Sequence, residues 1–70
     1  MSVENRVAAI RRARGVGATE LAKRAGVSRQ TIHAIEAGAY VPNTAVALRL
    51  ARELEVPVEE LFRLEEAREA

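Results

Sequence analysis

Glycine or proline interrupts this chain at positions 15, 17, 26, 38, 42 and 57, and the longest uninterrupted stretches are residues 1–14 and 43–56. A helix that short spans roughly 20 Å, so the fold has to be assembled from several short elements that cover one another. The expected fold class is all-α. Alanine supplies 14 residues and the aromatic side chains are only Tyr40 and Phe62, a balance that favours close-packed helices over strands. Cysteine is absent and His33 is the one histidine, which removes disulfide staples, zinc-ligand spacings and thiol catalysis together. Stability then rests on apolar packing in a single small domain, residues 1–70. No apolar run approaches the roughly 20 residues of a membrane span, and Met1-Ser2-Val3-Glu4-Asn5-Arg6 lacks the apolar core of a signal peptide. The chain reads as soluble and cytoplasmic.

Apolar spacing divides the chain into five helices. Val3, Val7, Ala8 and Ile10 predict a first helix over residues 3–14, with Ser2 as its cap and Gly15 as its stop. A second opens at Gly17 or Thr19, carries Leu21, Ala22 and Ala25 on one face and stops at Gly26. Val27 and Ser28 supply an anchor and a cap for a third helix, residues 29–37, which ends at Gly38. Pro42 discourages helix in the loop before it, and Asn43 caps a fourth helix over residues 44–54 whose inner stripe is Ala47, Leu50, Ala51 and Leu54. Pro57 opens a fifth over residues 58–62, where its missing N–H loses no bond. The segment from Phe62 to Leu64 fits a short strand as well as a longer fifth helix, and the glutamate-rich residues 65–70 are expected to fray.

The near-neutral total charge conceals a division. Residues 1–35 carry seven basic and two acidic side chains, and residues 36–70 carry four basic and eight acidic ones. A basic end of this kind suits a polyanion, although two ordinary solvated surfaces fit the same arithmetic.

Helix, tight glycine turn and second helix around Gly26 is the sequence form of a helix-turn-helix. Ala22 is small where the two axes must approach, Gly26 supplies the positive φ of the turn, and Ile32 and Ile35 point inward. Subtracting the inward positions leaves Ser28, Arg29, Gln30, His33 and Ala34 on the leading and outer surface of the third helix.

The stretch from Leu21 through Ala22, Gly26, Val27 and Ser28 to Ile32 closely resembles the Cro/Xre-type helix-turn-helix family of phage and bacterial repressors. Arg11 to Val16, Ile35-Glu36-Ala37-Gly38, Val41-Pro42-Asn43, Leu50-Ala51 and Val58 to Phe62 also look like family positions, so the resemblance covers nearly the whole chain. It implies a compact five-helix domain that binds double-stranded DNA, usually as a dimer on a two-fold symmetric operator. It also implies that the third helix reads bases. Arg29 then matches guanine O6 and N7, Gln30 matches adenine N6 and N7, Ala34 packs on a thymine methyl, and His33 reaches a base or phosphate. A solvent-facing His33 with no contact is the plainer alternative.

Ser28, Thr31, Tyr40 and Asn43 fall where family members touch the DNA backbone, although capping alone accounts for Asn43 and loop cover for Tyr40. The resemblance implies a structural ion pair between Arg11 and Glu36. Two departures stand out. Ala18 replaces a glutamine that bridges phosphate and recognition helix in many relatives, and Gly17 replaces a serine or threonine cap. Arg6, Arg12, Lys23 and Arg24 offer a basic surround in compensation.

The acidic half holds Val46, Leu48, Val58, Leu61, Phe62 and Leu64, more apolar residues than so small a core needs. Leu61, Phe62 and Leu64 are expected to form a homodimer interface, the rival being that Leu61 and Phe62 complete the monomer core. The expected function is sequence-specific DNA binding by a repressor or autoregulator. The alternative is a protein-interaction or antitoxin-like module of the same fold. An enzyme is not expected from a chain with no cysteine or aspartate, one histidine and too little length to enclose a pocket. No cofactor, metal, small-molecule ligand or membrane partner is implied.

Overall fold

Residues 2–65 are described by the computed structural model, and the two ends of that span meet. Ser2–Asn5 forms strand β1 and Phe62–Glu65 forms strand β2, which pair antiparallel in the register Ser2↔Glu65, Val3↔Leu64, Glu4↔Arg63 and Asn5↔Phe62. Between them lie α1 (Val7–Ala13), α2 (Ala18–Ala25), α3 (Arg29–Glu36), α4 (Thr44–Leu54) and α5 (Val58–Leu61). The five helices stand, but the two-stranded sheet means that the fold is not strictly all-α.

The sheet displaces the expected start of the first helix. Val3 and Asn5 are half-buried while Ser2 and Glu4 are exposed, an alternation of period two that only a pleated strand gives. Ser2 caps no helix, and its hydroxyl donates to the Glu65 carboxylate at 2.8 Å. The Asn5 side-chain oxygen instead accepts from the Val7 N–H at 3.2 Å, where α1 begins. Glu65 lies in β2 rather than in a frayed tail, and the rest of that expected tail lies outside the described residues.

The core gathers Val7 from α1, Leu21, Ala22 and Ala25 from α2, Ile32 and Ile35 from α3, Val46, Leu50, Ala51 and Leu54 from α4, and Leu61 from α5. Two expectations change here. Val46 lies four residues from Leu50 and shares its inward stripe, so it is buried while Ala47 is only half-buried. Leu61 is fully buried, because α5 is one turn long and its last residue faces α4 before the chain leaves as β2. It is therefore no part of an exposed dimer surface. Among the described residues, no helix is long and apolar enough to cross a membrane.

Helix ends follow one device. After α2, Gly26 adopts φ +74° and the Val27 N–H donates back to the Ala22 carbonyl at 3.0 Å, a Schellman arrangement that satisfies a carbonyl left over at the helix end. The same six-residue closure ends α4, but there the left-handed residue is Glu55, at φ +60°.

Candidate nucleic-acid interface

The Gly26 turn aims α3 across α2. Val27 is half-buried against the core and Ser28 follows in extended conformation, its Oγ accepting from the Thr31 N–H at 3.0 Å and lying 2.9 Å from the Thr31 hydroxyl. A serine in this position satisfies a backbone donor that the first turn leaves free. Ile32 and Ile35 sink into the core, with exposures of 0% and 1%, and this fixes the rotation of the helix. Arg29, Gln30 and His33 are consequently exposed, while Ala34 and Thr31 lie half-buried on its flanks.

Arg29 does not splay freely. Its Nε donates to His33 Nε2 at 3.3 Å, one turn along, leaving both terminal guanidinium nitrogens unused by the bond. Such a bond needs a neutral imidazole with a lone pair at Nε2. The outer surface of α3 thus presents a forked cation, an amide and an imidazole in a row, a set of donors and acceptors suited to base edges.

The far end of α3 is anchored by residues distant in sequence. Arg11 Nε donates to Glu36 Oε2 at 2.8 Å and its Nη2 to Glu36 Oε1 at 3.2 Å, a fork on a carboxylate, while Nη1 reaches the Val16 carbonyl at 3.2 Å. Both side chains are about nine-tenths buried. The hydrogen bond to Glu36 raises the Arg11 pKa above its ordinary value, outweighing the opposite effect of burial. Asn5 adds a second tie, its Nδ2 donating to the Ile35 carbonyl at 2.8 Å. Sequence reasoning missed Asn5. Its role depends on a strand paired with the other end of the chain, and no local pattern announces that.

The expected backbone-contacting residues are scattered around this helix. Tyr40 stands 45% exposed in the loop after α3. The Asn43 side-chain oxygen accepts from the Val46 N–H at 2.9 Å and caps α4, leaving its amide NH2 outside that bond. Ala18 is half-buried against the core and has no polar group to offer in place of glutamine. Neither Gly17 nor Thr19 supplies a side-chain cap to α2. Within the basic surround, Arg6, Arg12 and Lys23 are exposed, whereas Arg24 is paired with Glu20 one turn before it. A further cation was not anticipated: the Arg49 guanidinium on α4 lies over the α2–α3 turn, 3.7 Å from where a Cβ on Gly26 would stand. It is 23 residues from that turn in the chain.

Comparison with known proteins agrees with this geometry. The helix-turn-helix family profile matches residues 7–61, from the first residue of α1 to the last of α5. The chain is 38% identical over 64 residues to the uncharacterized HTH-type transcriptional regulator YgzD of Bacillus subtilis, covering 91% of this chain and 97% of that one. An uncharacterized HTH-type transcriptional regulator of Methanocaldococcus jannaschii is 49% identical over 43 residues, 61% of this chain and 65% of the relative. Another, from Methanothermobacter thermautotrophicus, is 47% identical over 53 residues, 74% and 77% of the two chains.

Proposed function

Because this chain belongs to the Cro/C1-type helix-turn-helix family, we propose that it is a sequence-specific DNA-binding repressor or autoregulator, working in the cytoplasm as a homodimer on a two-fold symmetric operator. The observation that carries this reading is the division of α3 into two faces. Ile32 and Ile35 are locked into the core, and Arg29, Gln30 and His33 are exposed at the surface.

In this reading α3 enters the major groove with its first turn foremost. Arg29 donates through its two terminal nitrogens to guanine, Gln30 pairs with adenine, His33 holds the Arg29 side chain along the groove, and Ala34 meets a thymine methyl. Each good bidentate contact discriminates against a wrong base by about 1 to 3 kcal/mol. Ser28, Thr31, Tyr40 and Asn43 touch phosphates, which fixes register without reading sequence. Arg49 is placed to join them beside the turn. Two copies set their recognition helices roughly 34 Å apart, in successive major grooves on one side of the duplex.

Selection of bound sequences from a random duplex pool tests the proposal, repeated with Arg29→Ala. The intact protein should enrich an inverted repeat, and the variant should lose preference at one position in each half-site. Binding should weaken with salt by about 0.9 in log K per log salt for each phosphate neutralised. No enrichment at low salt would refute the DNA-binding reading. Enriched sites unchanged by the substitution would refute the role of Arg29.

A further inference from the structure

The bond between Arg29 and His33 on the outer face of α3 depends on where a proton sits. Arg29 Nε donates to His33 Nε2 at 3.3 Å, and an imidazole can accept there only while it is neutral and carries its hydrogen on Nδ1. Both side chains are exposed, so water reaches the pair directly. The charged groups around the imidazole do not compete for it. On α3, Glu36 lies three residues on, with both carboxylate oxygens taken by Arg11 of α1. α1 also carries Arg12, and α2 carries Glu20, Lys23 and Arg24, of which Glu20 and Arg24 pair with each other. Arg49 of α4 stands over the α2–α3 turn, Arg52 and Glu53 of that helix pair together, and Tyr40 follows in the loop. Among the described residues, none of these is hydrogen-bonded or ion-paired to His33.

We infer that His33 is a positioning residue whose protonation sets how strictly Arg29 reads its base pair, so that acid loosens sequence preference without releasing the duplex. The inference rests on the DNA-binding reading and adds a control to it. A guanidinium can offer a purine two hydrogens in two ways, end-on from Nη1 and Nη2 or side-on from Nε and Nη2. With Nε held by His33, the side-on pair is withdrawn and the fork is fixed end-on. A fork held beforehand loses less freedom on meeting guanine. Proton uptake at Nε2 replaces the acceptor with a donor and sets two cations side by side, so Arg29 is released and pushed away. It then samples both modes and the neighbouring phosphates, and a phosphate contact carries no base information. The added positive charge meanwhile favours any duplex, whatever its sequence. Strict reading therefore belongs to neutral His33 and general attraction to the charged form, and the two move in opposite directions as pH falls.

Competition binding tests the inference at about pH 8 and about pH 5.5, on either side of the usual imidazole titration. The probes are the duplex enriched by selection, the same duplex with the Arg29-dependent base pair exchanged, and a random-sequence duplex. For the intact chain, discrimination between the first two should fall roughly fivefold or more at the lower pH, while affinity for random duplex holds or rises. His33→Gln offers Nε a carbonyl oxygen that does not titrate, and it should discriminate strictly at both pH values. His33→Ala should sit near the acid value at both, and Arg29→Ala should show no preference at that pair at either. In the free chain, nitrogen NMR should show the imidazole hydrogen on Nδ1, and the Arg29 Nε–H resonance should shift with the same midpoint as His33. Discrimination that is equal at the two pH values, or that falls as much in His33→Gln, overturns the inference while leaving the DNA reading in place, as does a neutral imidazole that carries its hydrogen on Nε2. A chain that binds no duplex at either pH removes the DNA reading and this control with it.

Discussion

The two ends of α3 are held in opposite ways. At its C-terminal end, Glu36 is clasped by Arg11 from α1 and the Ile35 carbonyl is taken by Asn5 from β1, bonds that are largely shielded and reach 25 and 30 residues back along the chain. At its N-terminal end the hydrogen-bonded attachments are the Gly26 turn and the Ser28 cap, both local and both exposed, with Val27 half-buried between them and Arg49 of α4 over the turn. The helix is rooted at one end and presented at the other. An element that must meet an external surface without shifting benefits from this asymmetry, since the rigid attachment lies away from the face that has to stay bare.

Breaking the rooted end should have the largest effect. Arg11→Ala leaves the Glu36 carboxylate nearly buried without its partner, and the expected loss is on the order of 3 kcal/mol in urea unfolding. Arg11→Met combined with Glu36→Leu removes both charges and should lose only about 1 kcal/mol. Because the Arg11 pKa is raised, the guanidinium keeps its charge through the ordinary guanidinium value, and its side of the pair fades only as pH climbs through the raised one. A melting temperature unaffected by Arg11→Ala would mean that α3 is not anchored through this pair.

This asymmetry also explains what the sequence could and could not reveal. The presented end is spelled locally: Gly26, Ser28 and Asn43 each have a steric or capping reason visible within a few residues, and α2 to α4 fall close to their expected limits. The rooted end is spelled across the chain. The spacing of Val3, Val7 and Ile10 fits a helix until β2 arrives to pair with it, and the partners of that pairing are about 60 residues apart. Arg11 looks like any surface arginine by pattern, and family resemblance alone singled it out. The inward turn of Leu61 depends on α5 ending after one turn, a length that Phe62 does not announce because it suits helix and strand alike.

The turn that launches the presented end comes next in size. Gly26→Ala should lose about 1 to 2 kcal/mol, entirely from the left-handed backbone. Steric clash adds nothing, since the new Cβ would meet Arg49 at an ordinary 3.7 Å. Glu55 gives the complementary measurement, because it occupies the same backbone position after α4 with the unfavourable residue. Glu55→Gly should therefore stabilise by about 1 kcal/mol. The Arg14 contact that it gives up is 3.5 Å long and exposed, and so is worth little. Changes of the same sign at both positions would show that backbone conformation is not what distinguishes the two turns.

Ser28→Ala tests the cap itself. Losing the bond to the Thr31 N–H should lower stability by about 0.5 kcal/mol, less than the change at either site above, because water reaches the freed donor. Amide exchange gives the sharper reading. Protection should fall at Thr31 and its neighbours while the amide of Ala37, at the rooted end, keeps its rate relative to global unfolding. Equal loss at both ends would mean that α3 opens as one unit.

Arg29→Ala should have the smallest effect on stability, within about 0.5 kcal/mol, although it removes a charged side chain and its bond to His33. Both residues are exposed and nothing in the core depends on them. The consequence belongs to recognition. If Arg29 reads guanine, discrimination at that base pair should drop by about 1 to 3 kcal/mol, and His33→Ala, which frees the guanidinium without removing it, should relax the same position by less. Measuring melts and base preference on the two variants together decides what the presented end is for. Unchanged melts with altered preference assign it to recognition, whereas a large loss of stability would mean that Arg29 braces the helix and that the two ends differ less than their geometry suggests.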